Sequence, residues 1–283
     1  MTMDIDRAAL ERALERIDTW DVPSAGVVVL SAEGELARHG ATELVQPVAS
    51  VAKALTAATV LAEVAAGTLD LDEPVGPTAE RGATLRHLLG HAAGLGFEQG
   101  DRTMEPGVRR VYSNWGYEVA AEHAAARAGR PFPELMRERV TGPLGMDVTV
   151  LAGSPAWAVT STVADLGRFA RELLAPVALP ADAHRLLTTL SFDGLDGVLP
   201  GFGRQRPNGW TLGLEVRGTK DPHWSGARLS PRTVGHFGRS GSLVWADAEA
   251  GVALATLSGR DFGDWARIAW PELNDAVLAA LGR

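Results

Sequence analysis

At 283 residues, 46% of them hydrophobic, the chain is long enough to bury a large core in one big domain or two interleaved ones. A net charge of −8 argues against nucleic acid or an anionic membrane surface as a partner, and the absence of cysteine excludes disulfides, thiolate chemistry and cysteine-held metals. No stretch approaches the ~20 uninterrupted apolar residues that span a bilayer, so a soluble cytoplasmic protein is expected.

The first 20 residues carry acids and arginines around an apolar face of Leu10, Leu14 and Ile17, which predicts a helix over 4–19 and not a signal peptide. A β-branched run over 25–30, the turn Glu33-Gly34 and a return over 36–39 predict a hairpin. The stretch 50–66, rich in Ala, Leu and Val, reads as a mostly buried helix that opens at Ser50 and is stopped by Gly67. After a loop over 69–75, Thr84 caps a short helix over 85–89, and further helices are predicted over 115–127, 133–140, 162–174 and 181–189. The Gly- and Pro-rich stretch 192–208 reads as a loop at the rim of a site. Strand patterns follow over 210–216, 233–239, 243–246 and 252–257, with a closing helix over 264–281. There is no internal repeat.

Strands at both ends with helices between them predict an α+β fold in a single domain. Residues 1–48 and 205–283 would form an antiparallel sheet with flanking helices, around an inserted, mainly helical region, 49–204. A ligand would bind where the two regions face each other.

Ser50 and Lys53 are three residues apart and share a helix face. Of 27 basic residues only Lys53 and Lys220 are lysines, so a lysine inside an apolar helix stands out. Burial lowers a lysine's pKa toward the range where a neutral amine can take the proton of a nucleophilic serine. Chance still supplies roughly 0.1 such spacings in a chain of this composition. The pair alone therefore leaves a catalytic dyad and a snorkelling lysine beside an ordinary serine equally open. His87 and His91, at i and i+4, lack an acidic residue between them, and neither a metal nor another cofactor is expected. The run Gly238-Arg239-Ser240-Gly241-Ser242 fails the nucleophile-elbow pattern at its fifth position and reads as the bend of an edge strand.

Three segments, Ser50-Val51-Ala52-Lys53, Tyr112-Ser113-Asn114 and His236-Phe237-Gly238, resemble in order and position the S-x-x-K, Y-x-N and K-T-G (or H-x-G) elements of the serine β-lactamase and penicillin-binding-protein superfamily. Tyrosine in the middle element is similar to class C β-lactamases, D-alanyl-D-alanine carboxypeptidases and family VIII esterases. Leu88-Leu89-Gly90-His91-Ala92-Ala93-Gly94-Leu95 and Glu105-Pro106-Gly107 resemble further stretches of that superfamily, and the similarity runs over about 25–260.

The resemblance implies a β-lactamase-like fold and a Ser50 nucleophile. Lys53 would act as a neutral base or, protonated, would hold Tyr112 as a phenolate. Tyr112 would be general base in acylation and acid toward the leaving group, and Asn114 would bond Lys53 and the substrate. The backbone N–H groups of Ser50 and Arg239 would form the oxyanion hole, with His236, Phe237, Gly238 and Arg239 binding substrate. His236 in place of lysine and Phe237 in place of Thr or Ser remove contacts to a substrate carboxylate. An apolar ester or amide then suits the site better than a carboxylate-bearing lactam, aided by Trp210 or Trp245, with Arg239 either restoring an anion contact or facing solvent. The expected function is a serine hydrolase acting on small esters or amides. The alternatives are β-lactamase or D-alanyl-D-alanine carboxypeptidase activity, acyl transfer, and a catalytically silent binding protein. Singly, Tyr112 reads as a packing turn residue, Asn114 as a helix N-cap and His236 as a sheet histidine.

Overall fold

The computed structural model describes residues 6–283, so the start of the helix expected over 4–19 lies outside the described residues. Helix α1 (Arg7–Leu14) is capped by the Asp6 carboxylate, which accepts from the Ala9 amide, and runs on as a 3-10 turn, Glu15–Thr19. Then follow β1 (Gly26–Leu30), β2 (Glu35–Gly40), β3 (Gln46–Pro47), α2 (Ala52–Ala65), α3 (Leu85–Leu89), α4 (Asn114–Ala128) and α5 (Phe132–Met136). Two short strands, β4 (Val150–Leu151) and β5 (Val159–Ser161), precede α6 (Val163–Leu174) and α7 (Ala181–Thr188). The chain closes with β6 (Gly197–Leu199), β7 (Gly203–Gln205), β8 (Glu215–Val216), β9 (Val234–Gly238), β10 (Ser242–Asp247), β11 (Val252–Leu257) and α8 (Asp264–Ala280).

The fold is α+β. Six antiparallel strands in the order β2-β1-β11-β10-β9-β8 form the main sheet, and β1 joins β11 from Gly26 opposite Leu257 to Leu30 opposite Ala253. Strand residues alternate between faces. Val27, Val29, Leu243, Trp245 and Leu254 pack with residues of α1 and α8, whereas Val28, Leu30, Val244, Ala253 and Ala255 join the core that includes α6 and α2. Both faces are covered, which is why these strands read as continuous apolar runs. Each Val or Leu buried this way contributes roughly 1.5–3 kcal/mol.

Several elements differ from their sequence patterns. The strand expected over 210–216 is only β8, because the chain reverses between Thr211 and Leu214, where Gly213 sits at φ +135° and Trp210 bridges back to Glu215. The loop over 192–208 contains the β6–β7 hairpin. The helix expected over 133–140 is α5 followed by a π-helical turn, Arg137–Thr141. The bend at 238–242 joins β9 to β10; β8 pairs only with Val234 and Gly235, so from His236 to Gly238 strand β9 is an open edge. A small sheet, β3-β5-β4, was not legible in the sequence.

Candidate active site

Ser50 lies in a single 3-10 turn, Ala49–Val51, that leads into α2. Ala49 holds the left-handed φ of 43°, a conformation that costs a residue with a Cβ roughly 1–2 kcal/mol. The turn is fastened to the end of β9: Ser240 Oγ donates to the Pro47 carbonyl at 2.7 Å and Ser242 Oγ to the Val48 carbonyl at 2.6 Å. Gly238 permits this approach, because a Cβ there would stand 2.3 Å from the Val48 carbonyl oxygen and 2.3 Å from Ser242 Oγ. The serines of the 238–242 run are therefore clamps on the Ser50 turn.

Lys53 is fully buried, and its Nζ stands 3.2 Å from Ser50 Oγ, 2.6 Å from Asn114 Oδ1 and 2.9 Å from the Ala156 carbonyl. Burial pulls its pKa from 10.5 to about 7, against the opposing pull of Glu98 and Glu118. Asn114 Oδ1 and the Ala156 carbonyl can only accept. A neutral amine uses both N–H groups on them and turns its lone pair to the serine hydroxyl. Asn114 is oriented in turn by Glu98, whose Oε1 accepts from Nδ2 at 2.7 Å. The N-cap of α4 is Ser113, which accepts from Gly116 N–H and donates to the Gly96 carbonyl, so Asn114 is the first helical residue and its side chain is free to face Lys53.

Tyr112 is half-buried and places its ring centroid 4.8 Å from Lys53 Nζ. Burial raises its phenol well above the ordinary value, offset in part by a hydrogen bond with Ser50 and reinforced by the charge of Glu215. His236 is buried on the same side, its ring 6.0 Å from that of Tyr112 and 5.4 Å from that of Trp210. Its Nδ1 donates to the Phe237 carbonyl at 2.7 Å, which leaves Nε2 as an unpaired acceptor. Burial and the charge of Lys53 bring its pKa down to about 4, so it is neutral at physiological pH.

A cavity of about 230 Å³ opens beside Ser50, lined by Tyr112, Trp210, His236, Phe237, Arg239 and Glu215, with Phe97, Leu199, Pro200, Gly201 and Phe262 completing a largely apolar wall. Phe237 packs in that wall edge-on to Phe202 and Trp270 and tilted against Phe262. The Arg239 side chain turns outward to Asp261, 3.1 Å away, so only its main chain belongs to the site. Trp245 is on the far face of the sheet, bonded to Asn274, and takes no part in the site, whereas Trp210 lines it.

Three features carry no clear sequence signal. Arg110, buried two residues before Tyr112, donates to the carbonyls of Gly90, Ser191, Phe192, Asn208 and Trp210 and thereby holds the rim loop closed. Glu215 is held by Lys220, His223 and Trp224. Glu98 reaches Asn114 from an exposed loop. The histidines considered as a metal pair are occupied separately: His87 Nδ1 closes the cap of α3 with Thr84, and His91 Nδ1 accepts from the Ser113 amide. Among the described residues no group of three His, Cys, Asp or Glu side chains stands where it could hold a metal ion. No helix among them is long and apolar enough to cross a membrane.

The sequence model of the family described as Beta-lactamase matches residues 19–279. A solved β-lactamase from Mycobacterium bovis is 47% identical, with a TM-score of 0.92 over 95% of this chain and 99% of that one. The D-alanyl-D-alanine-carboxypeptidase/endopeptidase AmpH of Escherichia coli (strain K12) is 26% identical over a match that spans only 42% of this chain and 40% of that protein. EstCE1, a hydrolase with promiscuous acyltransferase activity, shares the fold at 15% identity, with a TM-score of 0.79 over 96% of this chain and 99% of that one.

Proposed function

The chain belongs to the Beta-lactamase family, and from that premise we propose that it is a serine hydrolase acting through a Ser50 acyl-enzyme on small esters or amides. One observation carries the reading: the Lys53 amine, 3.2 Å from Ser50 Oγ, has only neutral acceptors in contact. Ser50 Oγ attacks the substrate carbonyl carbon as its proton passes to neutral Lys53. The backbone N–H groups of Ser50 and Arg239 receive the developing oxyanion, a contribution typically of ~10²–10³ in rate. Tyr112 stays protonated and donates to the leaving group, regaining its proton from Lys53; a high phenol pKa suits an acid better than a base. Water then attacks the ester of Ser50 as Lys53 takes its proton, and the resulting ammonium returns that proton to the departing Ser50 Oγ, which restores the hydroxyl and the neutral amine.

The wall supports an apolar acyl group. At the place where the family's lysine meets a substrate carboxylate, His236 offers a lone pair and no donor, and the Arg239 guanidinium is turned away. A hollow of about 320 Å³ adjoins the cavity across Tyr112, Phe97 and Pro200, beside the phenol proposed to protonate the leaving group. Turnover of a lactam or a D-alanyl peptide is the second reading, favoured by the 47% identity with the M. bovis β-lactamase. A fluorophosphonate and a labelled penicillin, each followed by mass spectrometry, separate the two. Label on Ser50 from the fluorophosphonate alone supports the esterase, and label from both supports a lactam-competent enzyme. Label from neither on folded protein overturns the hydrolase reading in favour of a binding protein.

A further inference from the structure

The site contains a carboxylate that the mechanism above does not use. Glu98 is exposed, but its loop is tightly held. The Asn114 and Trp115 amides donate to the Phe97 carbonyl at 2.9 and 3.2 Å, Ser113 Oγ donates to the Gly96 carbonyl at 2.6 Å, and the Glu98 amide donates to Asp101 Oδ2 at 2.8 Å. The loop is thus bound to the N-terminus of α4, and Glu98 Oε1 rests 2.7 Å from Asn114 Nδ2. A carboxylate only accepts, so this contact decides which end of the Asn114 amide faces inward. With Nδ2 outward, Oδ1 meets Lys53 Nζ at 2.6 Å; with the amide reversed, an N–H₂ would confront the amine.

We propose that Glu98 is a positioning residue: it locks the Asn114 amide with its carbonyl toward Lys53 and, through its charge, sets how tightly Lys53 holds its proton. The inference rests on the reading of Lys53 as the base. The other groups facing Lys53 are the Tyr112 ring, the Tyr117 ring at 5.8 Å, the buried imidazoles of His91 and His236, and Glu118, which is bonded to Ser154. The imidazoles are held neutral by burial and the phenols are uncharged, which leaves Glu98 and Glu118 as the anions acting on the amine. Glu98 alone of these two is linked to it through a single intervening side chain.

The chain's composition makes the test direct, because two lysines give two side-chain resonances in protein labelled with [ε-¹³C]lysine. In wild-type protein the Lys53 resonance is expected to titrate near pH 7, with the Lys220 resonance as an internal control. Glu98→Gln keeps an acceptor for Asn114 and removes the charge, and should lower the Lys53 midpoint by about 0.3–1 pH unit, a two- to tenfold weaker hold on the proton. Glu98→Ala also releases the amide, and should in addition lower kcat on a p-nitrophenyl ester by roughly tenfold relative to Glu98→Gln. An unmoved Lys53 midpoint in both variants overturns the proposal. That readout needs no activity, so it stands apart from the failure of the hydrolase reading, which absence of ester turnover by the wild-type protein would mark.

Discussion

The two lysines of this chain are both buried and do opposite things. Lys220 Nζ stands 2.9 Å from Glu215 Oε1 and also donates to the Gly209 and Val216 carbonyls, pinning the reversal that carries Trp210. Burial would raise the Glu215 carboxyl, but Lys220 and His223 outweigh it and bring it to about 2. Burial likewise pulls Lys220 down, against the direct contact with Glu215. Lys53 meets only a hydroxyl, an amide oxygen and a peptide carbonyl, with its two acids acting from a distance. A carboxylate in contact makes a buried ammonium structural. Neutral acceptors in its place leave the proton labile, which is what a base requires.

The sharpest test of that contrast is paired truncation. Lys53→Ala should lower turnover by ~10²–10⁴ with the fold retained, measured by ester hydrolysis and circular dichroism. Lys220→Ala should do the reverse: it strands Glu215 and lowers unfolding free energy by about 3–5 kcal/mol in urea titrations, while kcat per folded molecule changes by less than about tenfold. Equal losses of activity from the two variants would break the comparison. Tyr112→Phe removes the acid beside Lys53 and should lower turnover by ~10², more for esters of poor leaving groups than for activated ones. A loss independent of the leaving group would show that the phenol does not protonate it.

The pH–rate profile tests the same difference. If neutral Lys53 is the base, kcat/KM rises with pH and levels off above about 7, falling tenfold per unit on the acid side. A profile flat from pH 5 to 8 would mean that Lys53 does not titrate there.

The Ser50–Lys53 pair was legible because helical spacing brings i and i+3 together and because lysine is so rare in this chain. Tyr112, Asn114 and His236 were legible only through their resemblance in order, since no local pattern joins positions 61 residues apart, as Lys53 and Asn114 are. Trp245 was misplaced because period-2 alternation does not say which face is which: His236 pairs with Val244, so its neighbour Trp245 points the other way. Phe237 and the continuous apolar runs gave no face signal either, as both sides of the sheet are covered. Glu98, Arg110 and the Glu215 cluster escaped because each acts through loop contacts that only the folded chain creates. The strand pattern over 210–216 was broken by one glycine at φ +135°, whose neighbours read as good strand formers.

The mildest expected effect, and the one that isolates Lys53 from catalysis altogether, is on stability. In the unfolded chain this lysine titrates near 10.5 and in the folded protein near 7. Between those values the unfolded state binds more protons, so stability must rise with pH there. The cost of burying Lys53 is therefore absent above about 10.5, grows by about 1.4 kcal/mol per unit as pH falls, and is complete below about 7. Lys53→Met removes the titrating group at similar volume. The difference in unfolding free energy between wild type and Lys53→Met should then move in favour of wild type by about 1.4 kcal/mol per unit from pH 7 to 9, read from urea midpoints at each pH. Lys220→Met should show no such slope over the same range if Glu215 holds Lys220 as an ammonium in the folded state. Parallel curves for the two variants would erase the distinction between a labile and a fixed proton on which the assignment of the base stands.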